Sequence, residues 1–305
     1  MTQQEARGRA AVVGAGAIGL AVASALLRAG RQVIVCGGRI PVHRIEIAED
    51  GAARTWPVAH TDDPSDIAGV DTVVLAVKAH QTDSAAEWLR SSAGPSTTVL
   101  VAQNGIEHRQ RVAPHAGESR IVPAVVYLNV ERVEPGRAIL RRVGTRDLAV
   151  PDDAAGRTIA AELEAGGMRV ALEGDFATAA WRKLLVNITA NPLTALTGRR
   201  AEVIRDPAVG GLARRIMDEA LAVARAEGAA LTPDDVGAAM DWLLHVPDGA
   251  TTSMRQDRLA GRPLEYDALT GAVVRAAGRH GLDVPVNRMI LALIAAIRPE
   301  RETGR

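Results

Sequence analysis

Apolar residues in the first half of the chain fall into short runs separated by polar or glycine-rich breaks. The runs at residues 11–13, 32–36, 72–77, 98–102 and 121–128 are rich in valine and isoleucine, and the stretches between them read as helical. That alternation predicts a parallel sheet flanked by helices. Residues 137–143 and 168–172 read as further strands, with Gly166-Gly167 marking the turn before the second. After Gly174 the pattern changes: residues 181–196, 209–227, 233–244 and 265–280 read as long, Ala-rich helices without strand-like alternation. The expectation is an α/β chain with an N-terminal domain over residues 1–174 and a C-terminal all-helical domain over 175–305. No internal repeat, low-complexity tract or long linker interrupts it.

One apolar stretch has a second reading. Residues 10–27 follow Arg7 and Arg9 and are almost wholly apolar or small, as in a signal peptide or membrane anchor. Three glycines at specific spacing inside the run, and a second strand-like run at 32–36 directly after it, favour strand, turn, helix, turn, strand instead.

Composition narrows the function. Hydrophobic residues are 47% and charged residues 24% of 305, a globular balance, while an aromatic share of 2% leaves few surfaces on which bases could stack. Lys plus Arg and Asp plus Glu stand at 36 each, so no overall field draws in nucleic acid or an anionic membrane, and any anion site is local. The single Cys36 offers neither an intramolecular disulfide nor a second thiolate for zinc, which points to a reducing, cytoplasmic setting and no metal.

The sharpest motif is Gly14-Ala15-Gly16-Ala17-Ile18-Gly19, which follows an expected strand and opens an expected helix. In that context the first glycine permits the tight turn, the second lets a pyrophosphate approach the backbone, and the third lets helix and strand pack closely. Helix N-terminal amides then bind the phosphates. A glycine-rich turn without cofactor is the bland alternative. With the motif in place, the N-terminal domain is expected to be of the Rossmann type.

Cofactor choice is set at the end of the second strand, Cys36-Gly37-Gly38-Arg39. NAD enzymes place an acid there for the ribose 2′-hydroxyl, whereas this chain has no carboxylate between Gly19 and Glu46 and offers Arg39 to a 2′-phosphate. NADP is therefore expected, with Arg39 as an ordinary solvated charge the alternative. Lys78 and Asn104-Gly105 follow two further strands, at ends where ligands bind. The lysine can neutralise phosphate or carboxylate, although Asn-Gly can also be only a turn.

In the second half, Lys183, Asn187 and Asn191 are spaced by four and form one polar stripe on an otherwise apolar helix. The stripe faces either a ligand or neighbouring helices. Asn191 precedes Pro192, which is expected to kink the helix. Ser253 and Glu265 stand near expected helix starts, where a cap and a dipole partner would explain them equally well.

These residues together resemble the ketopantoate reductase family. The likeness runs through Gly14 to Gly19, Ala76-Val77-Lys78, Gln103-Asn104-Gly105, Trp181-Arg182-Lys183 with Asn187, Asn191-Pro192-Leu193-Thr194-Ala195, Ser253-Met254 with Gln256-Asp257, and Glu265. The resemblance implies that Lys183 is the general acid and that Glu265 bonds the substrate hydroxyl and orients the lysine. It places Asn104, Asn187, Asn191 and Ser253 around the substrate, and Lys78 by the cofactor. Two departures bear on substrate identity: Ala250 stands where many members have asparagine, and residues 196–201 lack the usual proline-containing turn.

The expected chemistry is hydride transfer to the C2 carbonyl of a small 2-keto acid, ketopantoate by resemblance, in a cleft between the domains. Lys183, charged at the ordinary lysine value of about 10.4, donates the proton. Rival readings are a paralogue acting on another 2-keto acid, a β-hydroxyacid dehydrogenase, and a non-catalytic NADP-binding sensor. The sequence does not set the oligomeric state, and a homodimer is among the assemblies left open.

Overall fold

A computed structural model of the chain describes residues 8–297. It divides into two compact units, the first ending at Phe176 and the second beginning at Ala177, just after the change of pattern at Gly174. Arg7, invoked above for a membrane reading, lies outside the described residues.

The first unit opens with β1 (Arg9–Val13), α1 (Ala17–Arg28) and β2 (Gln32–Cys36). Next come β3 (Arg44–Glu49), β4 (Ala52–Pro57) and β5 (Ala59–Thr61), then β6 (Thr72–Leu75), α2 (Ala86–Ser92), β7 (Thr98–Val101), α3 (His108–Ala116) and β8 (Arg120–Pro123). After them run β9 (Val125–Val126), β10 (Asn129–Glu134), β11 (Arg137–Arg141), β12 (Leu148–Pro151), α4 (Ala154–Ala165) and β13 (Val170–Glu173).

A six-stranded sheet in the order β5-β2-β1-β6-β7-β8 forms the frame, parallel throughout. Its central strands are apolar at every position after the first because both faces are covered, which is why they read as runs and not as alternations. Val12, Val35, Val74 and Leu100 pack with Leu20 and Leu26 of α1 and Ile159 and Leu163 of α4. Their neighbours Val13, Ile34, Val73 and Val99 face the other way, onto Leu89 of α2 and Val112 of α3. The apolar run at 10–27 is thus a strand and a helix of this core. Among the described residues no helix is long and apolar enough to cross a membrane.

Two smaller sheets depart from the expected strand list. One has the order β10-β11-β3-β4, the other β13-β12-β9. The expected strand at 121–128 is broken at Ala124, so that its first half joins the parallel sheet and Val125–Val126 pairs with β12. β3, β4, β5, β10 and β12 were not foreseen. β4 is mostly exposed and interrupted by Arg54 and Thr55, β10 is mostly exposed and polar, and β5 has three residues, so none makes a buried apolar run. In β3, Ile45 and Ile47 are buried while Arg44, Glu46 and Ala48 between and beside them are not, an alternation the sequence does carry.

The second unit is helical: α5 (Phe176–Thr197), α6 (Pro207–Ala226), α7 (Pro233–Leu244), α8 (Ser253–Leu259), α9 (Ala272–Arg279) and α10 (Pro285–Ala295). Their starts are chemically marked. Asp206 accepts hydrogen bonds from the amides of Ala208 and Val209 with Pro207 at the first turn, and Asp235 accepts from the amide of Thr232 at the head of α7. α5 continues through Pro192 to Thr197 and does not end there. The helix expected from Glu265 instead begins with a π-helical turn, Asp267–Gly271, in which Gly271 N donates to Tyr266 O at 2.9 Å.

Candidate active site

In the first unit, β2, β1, β6 and β7 are neighbours, so their carboxyl ends bring Arg39, the 14–19 turn, Lys78 and Asn104 to one edge. Strand order reverses direction at β1, the place where parallel sheets of this kind bind ligands. The three glycines differ in their surroundings. Gly14 has φ +106°, and a Cβ there would stand 2.6 Å from Val77 N. A Cβ on Gly19 would stand 2.0 Å from the Gly14 carbonyl oxygen, so turn and helix can meet only if that residue has no side chain. A Cβ on Gly16 would meet nothing within 4 Å, which leaves open space over the first amides of α1. No acid stands in that first turn of α1 to oppose an anion. This geometry fits a dinucleotide pyrophosphate.

Ala15, Ala17 and Ile18 are half-buried around that turn, and Arg39 is exposed beyond β2. Cys36, at the end of β2, is buried, and burial pushes its thiol up to about 12, so it stays protonated and non-nucleophilic at neutral pH. Lys78 and Asn104 are both half-buried. A cavity of about 270 Å³ lies elsewhere in this unit, lined by Arg28, Glu49, Trp56 and Arg142 among others. Glu49 binds both of those guanidinium groups, and none of the candidate residues lines the cavity.

In the second unit Lys183, Asn187 and Asn191 follow one face of α5, with Asn191 buried and the other two half-buried. Desolvation lowers the Lys183 pKa, which corrects the expectation of an ordinary lysine: its ammonium gives up a proton more readily. The cap of α8 is Thr252, whose hydroxyl accepts from Arg255 N at 3.2 Å, so Ser253 is not the cap. Ser253 Oγ donates instead to Asn191 Oδ1 at 3.4 Å, and Met254 N donates to the same oxygen at 3.3 Å. Glu265 is buried, 5% exposed, just before the π-helical turn and outside any helix start.

Two family models match the chain, "Ketopantoate reductase PanE/ApbA" over residues 10–152 and "Ketopantoate reductase PanE/ApbA C terminal" over residues 175–298. The chain belongs to the ketopantoate reductase family. It is similar to a 2-dehydropantoate 2-reductase from Mycobacterium tuberculosis, 43% identical over 290 residues that span 94% of this chain and 96% of the relative. Among solved structures it is similar to a ketopantoate reductase of Ralstonia eutropha JMP134, with TM-score 0.85, 31% identity, and coverage of 95% of this chain and 98% of that one. A dimeric ketopantoate reductase from Staphylococcus aureus superposes with TM-score 0.83 at 26% identity, covering 95% of this chain and 98% of that one.

This member of the ketopantoate reductase family is an oxidoreductase, and the family uses a nicotinamide cofactor. Its lysine usage carries a signal that the sequence reading missed. Of 36 Lys and Arg residues only Lys78 and Lys183 are lysine. Arginine serves every other cationic position, and the two exceptions are both candidate site residues. Only lysine of the two can surrender a proton. The two departures from the family pattern also meet within the second unit, where Ala201 N donates to Ala250 O at 2.9 Å. Gln103, Thr82 and His108, which no candidate role had absorbed, form a buried polar network behind Lys78 and Asn104.

Proposed function

We propose that the chain reduces the C2 carbonyl of 2-dehydropantoate to give (R)-pantoate for pantothenate synthesis, with NADPH as the reductant. The observation that carries this reading is Lys183: a desolvated lysine in register with Asn187 and Asn191, in a chain whose near-full-length relatives are 2-dehydropantoate 2-reductases. The cofactor supplies hydride when bound. The turn from Gly14 through Ala15, Gly16, Ala17 and Ile18 to Gly19 holds its pyrophosphate, Arg39 takes the 2′-phosphate, and Lys78 with Asn104 faces the remainder.

Lys183 stabilises the negative charge that grows on the carbonyl oxygen and then protonates it, for which a pKa lowered toward neutrality is the better match. Asn187, Asn191 and Ser253 orient the keto acid, and buried Glu265 accepts from the substrate hydroxyl. The lone, buried Cys36 suits a cytoplasmic enzyme, and a homodimer is the assembly we expect by analogy with the S. aureus relative.

The test is NADPH oxidation against a panel of 2-keto acids. Ketopantoate is expected to give the highest kcat/KM. A higher value for any keto acid without the 4-hydroxyl would replace the substrate while keeping the reaction class.

A further inference from the structure

The ladder between β6 and β7 ends at Leu75 and Val101, where Ala102 N donates to Leu75 O at 2.9 Å. Beyond that point one side chain carries the link on. Gln103 Nε2 donates to Val77 O at 2.9 Å and to Thr82 Oγ1 at 3.1 Å, and Thr82 Oγ1 donates to Ala79 O at 2.9 Å. Both hydrogens of the carboxamide are therefore used, each on a residue of the segment around Lys78. On the other side of Lys78, its own amide donates to Gln81 Oε1 at 3.2 Å. The peptide joining Val77 to Lys78 is gripped at its carbonyl by Gln103 and at its N–H by Gln81.

The same residue is held from behind. His108 Nε2 lies 2.9 Å from Gln103 O, and because a carbonyl only accepts, that ring nitrogen carries the hydrogen. Gln103, Thr82 and His108 are 5%, 3% and 4% exposed, so the network is buried and a lost partner is costly. Gln103 directly precedes Asn104. A displacement of its backbone moves Asn104, and a displacement of its side chain releases Lys78.

We infer that Gln103 is a positioning residue: it fixes the distance between Lys78 and Asn104 by tying the loop after β6 to the loop after β7. This inference rests on the proposed reading that Lys78 and Asn104 face the cofactor and substrate. Gln103 itself need touch neither. Misplacing a contact residue by about 1 Å can cost about 100-fold in rate, so the effect of loosening this tie falls between about 10- and 100-fold in kcat/KM.

The test uses Q103M, which keeps the length of the side chain and removes both donors, in the full-length enzyme and in the K78A/N104A background, with K78A and N104A as controls. The expected result is a 10- to 100-fold loss of kcat/KM for the keto acid in the wild-type background and less than about 2-fold further loss in the K78A/N104A background, since Gln103 then has neither residue left to position. Q103E supplies a second readout. Its neutral carboxyl can donate to Val77 O and its carboxylate cannot, so its kcat/KM relative to wild type should rise as pH falls while the Q103M ratio stays flat. The inference is overturned if Q103M matches wild type while K78A and N104A are impaired. It is overturned equally if Q103M loses the same factor in both backgrounds, which is the behaviour of a residue that only supports the fold. Wild-type activity in both K78A and N104A would remove the site reading and this inference together.

Discussion

The hydroxyls of Thr194 and Thr252 lie 2.6 Å apart and join the last turn of α5 to the cap of α8. Thr252 also caps α8 through Arg255 N, which leaves Ser253 free to reach Asn191. Thr252→Ala is expected to destabilise by about 1 kcal/mol, the usual loss of an N-cap, and to raise KM for the keto acid while leaving NADPH affinity unchanged. Thr252→Ser keeps the oxygen and should restore both properties. Urea unfolding and steady-state kinetics check this, and an unchanged KM in the alanine variant would separate the cap from the site.

Lys183→Ala is expected to lower kcat by about 10²- to 10⁴-fold, the range for loss of a general acid, with NADPH still bound. Because the reacting form is the ammonium, kcat/KM must fall as pH rises through the Lys183 pKa. Desolvation lowers that pKa, so the alkaline limb should appear below the ordinary lysine value. Lys183→Arg, which stays protonated, should lose both the limb and most of the activity. An alkaline limb that persists in the arginine variant would belong to another group.

Arg39→Asp should weaken NADPH by about 1.5 to 3 kcal/mol, the scale of a charged hydrogen bond, and narrow its advantage over NADH. Equilibrium titration of the two cofactors measures this directly. An NADPH Kd equal to wild type would leave Arg39 as the solvated surface charge that its exposure also allows.

Glu265 is buried, and on the proposed reading a substrate without the 4-hydroxyl forfeits a charge-assisted hydrogen bond to it. Ketopantoate is expected to exceed trimethylpyruvate, its analogue without the 4-hydroxyl, by at least about 10³-fold in kcat/KM. Glu265→Ala should shrink that preference. Equal rates on the two acids in the wild type would shift attention to Ala250 and Ala201, where the chain departs from the family pattern and the two segments meet.

The sequence by itself determined the elements whose signal is local. A central parallel strand buried on both faces is apolar on both, so β1, β2, β6 and β7 announce themselves as runs, and the glycines at 14, 16 and 19 mark the turn between the first strand and helix. The polar stripe on α5 was legible for the same reason, since the spacing of Lys183, Asn187 and Asn191 is a property of one helix. Tertiary structure decided what depends on partners far along the chain. Exposed strands such as β4 and β10 are held chiefly by pairing, with only Trp56 and Val130 packed against the core, so their residues carry little sign of it. The Thr252 that caps α8 also meets the hydroxyl of Thr194, 58 positions earlier, a contact no local pattern announces. The sequence reading left Lys183 at an ordinary lysine pKa because desolvation comes from the packing around a side chain and not from its neighbours in sequence. Gln103 read as the first letter of a motif, and only the folded sheet, by setting Val77 and Thr82 against its side chain, gave it a task.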